Sequence, residues 1–251
     1  MYSSKSYLGN IWKLKSFDER ETLMISQRHN ISPLLAKLLN IRNIKEVDIE
    51  NYLNPDLNND LPDPFLFKDM KKSVERTSEA LLKNQLIGII ADYDVDGSTS
   101  AAILCKFFNS LNKNIILKIP DRLKDGYGPN IRIMKEMLLY KVNLLFTLDC
   151  GTSSFGILDQ SIYKTIDIIV IDHHISEHKL PKVFSIINPN RFDENNNLNN
   201  LAACGVTLLF VLALRKFLRE NDYFKKEKII EPNLLSYLDL VALGTVCDVV
   251  S

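Results

Sequence analysis

The sequence predicts an α/β protein: a doubly wound, mainly parallel five-stranded sheet preceded by a helical N-terminal extension. Three observations carry this. Short, nearly continuous apolar runs recur from Leu86 onward: LIGIIA (86–91), IILKI (115–119), VNLLFTL (142–148) and IDIIVI (166–171). Strands buried on both faces read this way. Helix-length segments separate the runs, and alternating strand and helix implies parallel pairing with right-handed crossovers. Residues 1–80, by contrast, look mainly helical.

In the extension, Ser32-Pro33 fits an N-cap followed by proline at the first helical position. The segment LLAKLLNIRNI (34–44) then places apolar residues at helical spacing. Asn54-Pro55-Asp56 and LPDPF (61–65) punctuate turns. A helix near Met70–Leu82 leads into the first strand. Between strands, helices are expected at Ser98–Leu111, Asn130–Tyr140 and Ser153–Tyr163. FSIIN (Phe184–Asn188) is a candidate fifth strand. The Asn-rich stretch Asn195–Asn200 reads as a loop and as compositional bias, not as function. Helices near Ala202–Leu218 and Asn233–Leu243 complete the chain. The expected division is an extension over 1–80 and an α/β domain over 81–251.

Composition narrows the function classes. The chain has 251 residues, 31 basic and 31 acidic side chains, 46% hydrophobic and 25% charged residues. That excludes a wholly disordered or collagen-like chain. Zero net charge excludes a protein that is basic all over, and leaves room for a local basic groove. The longest apolar run, Leu201–Leu214, falls short of the roughly 20 residues that span a bilayer, and reads as a core helix. The first residues have no apolar core of signal-peptide length, so a cytoplasmic protein without a membrane partner is the expectation. Cys105, Cys150, Cys204 and Cys247 lie far apart without a CxxC pair. They read as buried, reduced thiols, not as a disulfide framework or zinc site.

The ends of the strands carry the chemistry. The first runs into Asp92-Tyr93-Asp94-Val95-Asp96-Gly97, the third into Asp149-Cys150-Gly151, the fourth into Asp172-His173-His174. Asp248 follows the apolar LVALGTVC. Open parallel sheets bind ligands at the carboxyl ends of their strands. So many like charges repel unless cations neutralise them. Carboxylates with one or two imidazoles suit Mn²⁺ or Mg²⁺; Zn²⁺ more often recruits Cys or further His. Two such ions about 3.5–4 Å apart form the usual apparatus for phosphoester hydrolysis.

Singly, each piece has a plain structural reading. Asp-x-Asp-Gly is usually a turn, Asp-Cys-Gly a strand end, a His pair structural, and Asp248 a helix-terminal residue. A calcium loop would need a glutamate six residues past Gly97, where Ile103 stands. Their coincidence at the strand ends of one sheet argues for a site. Gly97 and Gly151 each precede a helix, where backbone N–H groups suit a phosphate. Ser98, Thr99 and Ser100 are candidates to cap the helix or touch phosphate, with capping the favoured role.

ADYDVDGSTSAAIL, TLDCG, IDHH and ALGTVCDVV resemble the four ordered motifs of the DHH phosphoesterase superfamily. HNISPLLAKLLNIRNI with YLNPDL and LPDPFLFKDM, the loop IPDRLKDGYGPN, and LAACGVTLLFVLAL further resemble its RecJ subgroup of single-stranded-DNA-specific exonucleases. The resemblance implies two ions, Mn²⁺ or Mg²⁺. Asp94 and Asp96 would be ligands from the first motif, Asp149 would bridge, His173 would ligate, and Asp248 would complete the second ion's shell. By the same resemblance His174 would, with Asp149, be a catalytic residue, facing the scissile phosphate. Asp172 would orient a histidine and Asp92 support the loop, both from behind the ligands. Some superfamily members carry a histidine where Ile90 stands; its absence leaves the first ion fewer protein ligands and argues against the pyrophosphatase branch.

The activity so implied is metal-dependent 5′→3′ exonuclease action on single-stranded DNA, in DNA repair and recombination. Gly97, Ser98, Gly151, Arg122 and Tyr127 are candidate substrate contacts. Arg122, Lys124, Arg132 and Arg191 are basic residues able to track a backbone; Tyr127 can stack on a base or simply pack. RecJ-like proteins continue past the fourth motif with a DHH-associated domain and an oligonucleotide-binding barrel, whereas this sequence stops at Ser251. The expectation is an N-terminal part with low activity, and a separately encoded C-terminal half is a candidate partner. Two other readings stay open: a small-substrate phosphodiesterase acting on oligoribonucleotides or cyclic dinucleotides, and a non-catalytic remnant or binding module.

Overall fold

The computed structural model describes residues 5–160 and 164–250. It divides into two compact units, Met1–Pro62 and Asp63–Ser251. In the first unit, α1 (Glu19–Arg28), α2 (Pro33–Ile41), α3 (Ile49–Leu53) and α4 (Leu57–Asp60) follow one another. Ser32 caps α2 by accepting from the Leu35 N–H at 3.2 Å, with Pro33 in the first turn. Ile25, Ala36, Leu39 and Ile49 form its small core.

The second unit holds α5 (Met70–Leu82), β1 (Ile87–Ala91), α6 (Val95–Ser110), β2 (Ile115–Lys118), α7 (Ile131–Leu139) and β3 (Leu144–Leu148). It continues through α8 (Phe155–Leu158), β4 (Asp167–Ile171), β5 (Ser185–Ile187), α9 (Ala203–Glu220), α10 (Tyr223–Glu227) and α11 (Leu238–Asp248). All strand pairs are parallel, in the order β2-β1-β3-β4-β5. Period-two alternation splits the apolar runs between two layers. Ile87, Ile89, Ala91, Leu144, Phe146, Leu148, Ile169 and Ile171 face a core built with α5, α6 and α9. There the rings of Phe108, Phe146 and Phe210 stack in sequence, with centroids 5.8 and 5.5 Å apart. Ile90, Leu145, Ile168, Val170 and Ile186 face the other way, onto Ile133, Met134 and Met137 of α7 and Leu158 of α8.

Several element boundaries differ from the sequence reading. Helix α5 packs on α9 and β5, so the two units part at 62/63 and not at 80/81. Helix α6 begins three residues early, at Val95, because the Asp94 carboxylate accepts from the Gly97 N–H at 2.9 Å and caps it. The helix expected at Ser153–Tyr163 shortens to α8, and 161–163 lie outside the described residues. The last helix opens as a 3₁₀ turn, Leu234–Tyr237, and runs on through Asp248.

The four cysteines are unpaired; Cys150 and Cys204 are buried, but Cys247 is exposed, against the expectation. Burial pushes the Cys105 thiol up to about 11 and, with Asp96 adding to it, Cys204 up to about 12. Among the described residues no helix is long and apolar enough to cross a membrane.

Candidate metal centre

The site grows out of the sheet. The backbone ladder runs one residue beyond each strand: the N–H groups of Asp92, Asp149 and Asp172 donate to Leu148, Ile171 and Ile187 at 3.1, 2.9 and 3.1 Å. Three aspartates thus stand in one rank on neighbouring strands, with Asn188 beside them after β5. All four are at most 2% exposed. The strand order reverses between β1 and β3, and the crevice of an open α/β sheet lies at such a switch point.

Asp149 is the centre of the group. Its φ of +58° is left-handed, a conformation that costs a non-glycine residue about 1 kcal/mol or more. Its carbonyl accepts the Tyr127 hydroxyl at 2.8 Å. Neither of its carboxylate oxygens has a hydrogen-bond partner, and nor does the buried Nε2 of His173, 3.4 Å from Asp149 Oδ1. The same Nε2 lies 3.8 Å from Asp96 Oδ2 and 3.6 Å from Asp248 Oδ2.

Long-range contacts place these last two carboxylates. Asp96, in the first turn of α6, accepts from the Ala203 and Cys204 N–H groups at 2.6 and 2.8 Å, at the start of α9. Asp248 is the last residue of α11, which Gly244 lets approach. A Cβ at Gly244 would sit 2.5 Å from both Cys204 Sγ and Thr99 Oγ1, and 3.1 Å from Asp96 Oδ1.

Among the described residues three groups of potential ligand atoms result, each within 4.8 Å: Asp92, Asp94 and Asp149; Asp96, His173 and Asp248; and Asp149, His173 and His174. Asp149 and His173 link them. The structure therefore brings together all five residues singled out as ligands, Asp94, Asp96, Asp149, His173 and Asp248. It also puts Asp92, read from the sequence as a loop support, within ligand range.

Burial, then repulsion from Asp96, Asp94 and Asp172, pushes the Asp149 carboxyl up to about 10. Burial also raises Asp96, against the α9 N–H groups that hold it, and raises Asp92. Unpaired buried carboxylates are costly, by several kcal/mol per ion. Protonation relieves that, and so does a divalent cation. Oxygen donors with one imidazole, of which Asp92 Oδ1, both Asp149 oxygens and His173 Nε2 have no protein partner, fit a hard ion of the Mn²⁺ or Mg²⁺ kind.

The two histidines sit on a braced turn. Asp172 Oδ1 accepts from the His173 and His174 N–H groups at 2.8 and 3.2 Å and lies 2.8 Å from His174 Nδ1. Its Oδ2 accepts from the Thr152 N–H at 3.0 Å. Burial alone would raise the Asp172 carboxyl; the His174 and Thr152 contacts outweigh it and hold it below its ordinary value. The same carboxylate raises the His174 imidazole. The Asp172 carboxylate thus accepts a hydrogen bond from His174 Nδ1–H, which leaves Nε2 as the other nitrogen of His174. On the carbonyl side, Asn188 Nδ2 donates to His174 O at 2.8 Å and Asn190 Nδ2 to His173 O at 2.6 Å.

A cleft of about 840 Å³ adjoins His174, lined by Tyr127, Gly151, Ser153, Ser154 and Asn190 among others. Some candidate substrate contacts are committed elsewhere. The Gly97 N–H is taken by Asp94, and a Cβ there would fall 2.5 Å from the Asp92 carbonyl oxygen. Gly97 thus permits helix α6 to pack on the β1 end and offers no N–H to a phosphate. Asp94, not Ser98, Thr99 or Ser100, caps α6: Thr99 Oγ1 donates to Val95 O, Ser100 is buried and Ser98 is exposed. Gly151, at φ +116°, lines the cleft.

Arg191 is a structural residue, its side chain 9% exposed between Asp69 and Asp193. Arg132 pairs with Asp125 and Glu136. Arg122 lies exposed over the Tyr93 ring, 5.5 Å from its centroid, and Lys124 is exposed beside Asp121. The sequence reading missed Thr152, Asn188, Asn190 and Gly244. Only the placement of Asn188 at the end of the fifth apolar run could have flagged one of them.

Residues 86–245 match the DHH family, N-terminal domain. The chain is 39% identical over 182 residues to the single-stranded-DNA-specific exonuclease RecJ of Escherichia coli (strain K12), covering 72% of this chain and 32% of that protein. It is 34% identical over 243 residues to RecJ of Haemophilus influenzae, covering 94% of this chain and 40% of that one. It thus spans about a third to two fifths of the length of these curated relatives. Among solved structures it is similar to exonuclease RecJ bound to manganese, with TM-score 0.60 and 28% identity over 73% of this chain and 44% of that one. It also shares its fold with RecJ from Thermus thermophilus in complex with Mn²⁺, with TM-score 0.66 and 24% identity over 94% and 31% of the two chains.

Proposed function

The chain belongs to the DHH family, and on that footing we propose that it holds two divalent ions, Mn²⁺ or Mg²⁺, and hydrolyses phosphodiester bonds of single-stranded DNA from the 5′ end. One observation carries the reading: Asp149, 1% exposed, keeps both carboxylate oxygens unpartnered 3.4 Å from an unpartnered imidazole nitrogen. Buried charge left this way calls for a cation. The relatives named as single-stranded-DNA-specific exonucleases supply the substrate class; the polarity rests only on the resemblance of the sequence motifs.

In this reading Asp92, Asp94 and Asp149 would hold one ion. Asp96, His173 and Asp248 would hold the other, with Asp149 as the candidate shared ligand. The ions supply Lewis-acid charge for phosphoester hydrolysis. The chain's own groups do the rest. Asp172 keeps the proton on His174 Nδ1, so that Nε2 meets a phosphoryl oxygen at the mouth of the cleft. Because Asp172 raises that imidazole, His174 is disposed to carry a second proton and donate it as a hydrogen bond to the phosphate. Tyr127 holds the Asp149 backbone from the cleft side. Asp96 is held by two N–H groups of α9, which would keep its carboxylate turned toward a cation.

The test is a Mn²⁺-dependent nuclease assay on 5′-labelled single strands, with a dinucleotide as competitor, alongside calorimetric titration of Mn²⁺. The proposal expects Mn²⁺ uptake, release of 5′ mononucleotides, and competition in favour of the long strand. Cleavage of the dinucleotide unaffected by excess single strands would replace it with the small-substrate reading. No Mn²⁺ uptake would end it.

A further inference from the structure

The Asn-rich stretch after β5 has no role in the reading above, yet one of its carbonyls is tied to the metal centre. Asn190 Nδ2 donates to His173 O at 2.6 Å and to Asn199 O at 3.2 Å. Asn199 is four residues before Ala203, whose N–H, with that of Cys204, holds the Asp96 carboxylate. The two ligand residues His173 and Asp96 come from different motifs, far apart in sequence. Through one amide, the turn carrying His173 is fastened to the loop that delivers the donors for Asp96.

The neighbouring Asn188 completes the brace. Its Oδ1 accepts from the Asn190 N–H at 2.7 Å, and its Nδ2 donates to Thr152 Oγ1 at 2.9 Å as well as to His174 O. Both carbonyls of the His173–His174 pair are thereby occupied by asparagine amides, and both N–H groups by Asp172. With its backbone so held, the His173 ring has its Nε2 fixed 3.4–3.8 Å from Asp149, Asp96 and Asp248. Asn188 is fully buried, so replacing it also disturbs the core. Asn190 is half-buried and borders the cleft, so replacing it disturbs less of the core.

Resting on the two-ion reading, we infer that Asn190 is a positioning residue: its amide couples the His173 turn to the Asn199 loop and so sets the Asp96–His173–Asp248 group for its cation. The chemistry required is that of a neutral double donor. An aspartate at 190 keeps the shape but turns a carboxylate oxygen toward two carbonyl oxygens.

Removing a partner that orients a metal ligand typically weakens the metal by 10- to 100-fold. The experiment compares the full chain with Asn190→Ala and Asn190→Asp by two measurements. The first is amide hydrogen exchange without metal, at His173, His174, Ala203 and Cys204, with β1 and β3 as internal reference. The second is calorimetric titration of Mn²⁺. Both variants are expected to exchange at least about ten-fold faster at those four amides. Both are also expected to bind Mn²⁺ at least about ten-fold more weakly. Asn190→Asp is the decisive arm, because a merely electrostatic effect would make its added negative charge tighten Mn²⁺, whereas loss of the donor weakens it. Unchanged exchange, or faster exchange with unchanged or tighter Mn²⁺ binding in Asn190→Asp, overturns this inference alone. An unsubstituted chain that takes up no Mn²⁺ overturns the two-ion reading and this inference with it.

Discussion

Replacing Asp149 by asparagine should make the metal-free protein more stable at neutral and alkaline pH while removing its response to Mn²⁺. The Asp149 carboxyl goes from an ordinary value of 3.8 to about 10 on folding. A raised folded-state value means that the native state binds the proton more tightly than the unfolded chain. The associated stability is fully present below pH 3.8 and is lost progressively as pH rises toward 10. Within that window one bound proton is worth about 1.4 kcal/mol per pH unit. Between about pH 6 and 8 the unsubstituted chain therefore loses up to about 3 kcal/mol that Asp149→Asn does not lose. The group is 1% exposed, so solvent screening takes little from this figure. Asp96 and Asp92, also raised by burial, take over part of the proton uptake, which makes it an upper bound. For a domain of this size each kcal/mol moves the unfolding midpoint by about 2–4 °C. Thermal unfolding in chelator at pH 6, 7 and 8 reads the effect as midpoints that diverge by about 5–10 °C. Added Mn²⁺ at about 100 times its dissociation constant should then stabilise the unsubstituted chain by about 2.7 kcal/mol and leave the variant unmoved. Parallel pH profiles for the two proteins would refute the argument from burial, and an equal Mn²⁺ response would refute the role of Asp149 as a shared ligand.

Three further outcomes are expected. His174→Ala should lower the rate of hydrolysis more than Mn²⁺ affinity, whereas His173→Ala should lower both; equal loss of Mn²⁺ in the two variants, by calorimetry, would reverse the assignment. Gly244→Ala should destabilise the protein by about 1–3 kcal/mol through overpacking against Cys204 and Thr99, although alanine in an open helix stabilises by up to about 1 kcal/mol; a raised unfolding midpoint would show that α11 has room to shift. Binding to single-stranded DNA should be weak, because neutral net charge leaves only a local basic groove, and it should weaken as salt is added, because each phosphate contact adds to the slope; tight binding at about 0.5 M salt, measured by anisotropy, would contradict this.

The sheet was legible because it is parallel. Strands covered on both faces need apolar residues at every position, so LIGIIA and VNLLFTL stand out from the sequence without any alternation. Their ends blur by one or two residues, as at Val142 and Asn143, which precede β3. The start of α6 was less legible. Asp94-Val95-Asp96-Gly97 has the composition of a turn, and a glycine usually ends regular structure rather than sitting in its first turn. Position 97 takes a glycine in the helix because the Asp92 carbonyl lies where a Cβ would be, a contact fixed only once β1 and α6 are packed. Asp94 then caps from a position that spacing alone does not favour over Ser98.

The candidate site divides along the same line. Residues that sit directly after a strand could be placed from sequence, since the strand fixes where they point. Asp92, Asp149 and Asp172 fall in one rank for that reason alone. Residues held by contacts across more than a hundred positions could not. Nothing near Asp96 in the chain announces that its oxygens accept from Ala203 and Cys204. Nothing near Arg191 announces that Asp69 will bury it as a brace instead of leaving it for a phosphate backbone. The left-handed turn of Asp149 is hidden as well, because aspartate gives no sign of which backbone region it will adopt. These hidden features share a physical cause. Each holds a polar or strained group that would be unfavourable alone and is tolerated because distant parts of the chain converge on it. Asp149 and His173 could be placed from their strand ends, and the motif resemblance pointed to Asp94, Asp96 and Asp248, while the groups that orient them emerge only from the folded arrangement, which is where substitutions such as Asn190→Asp should act without touching a ligand.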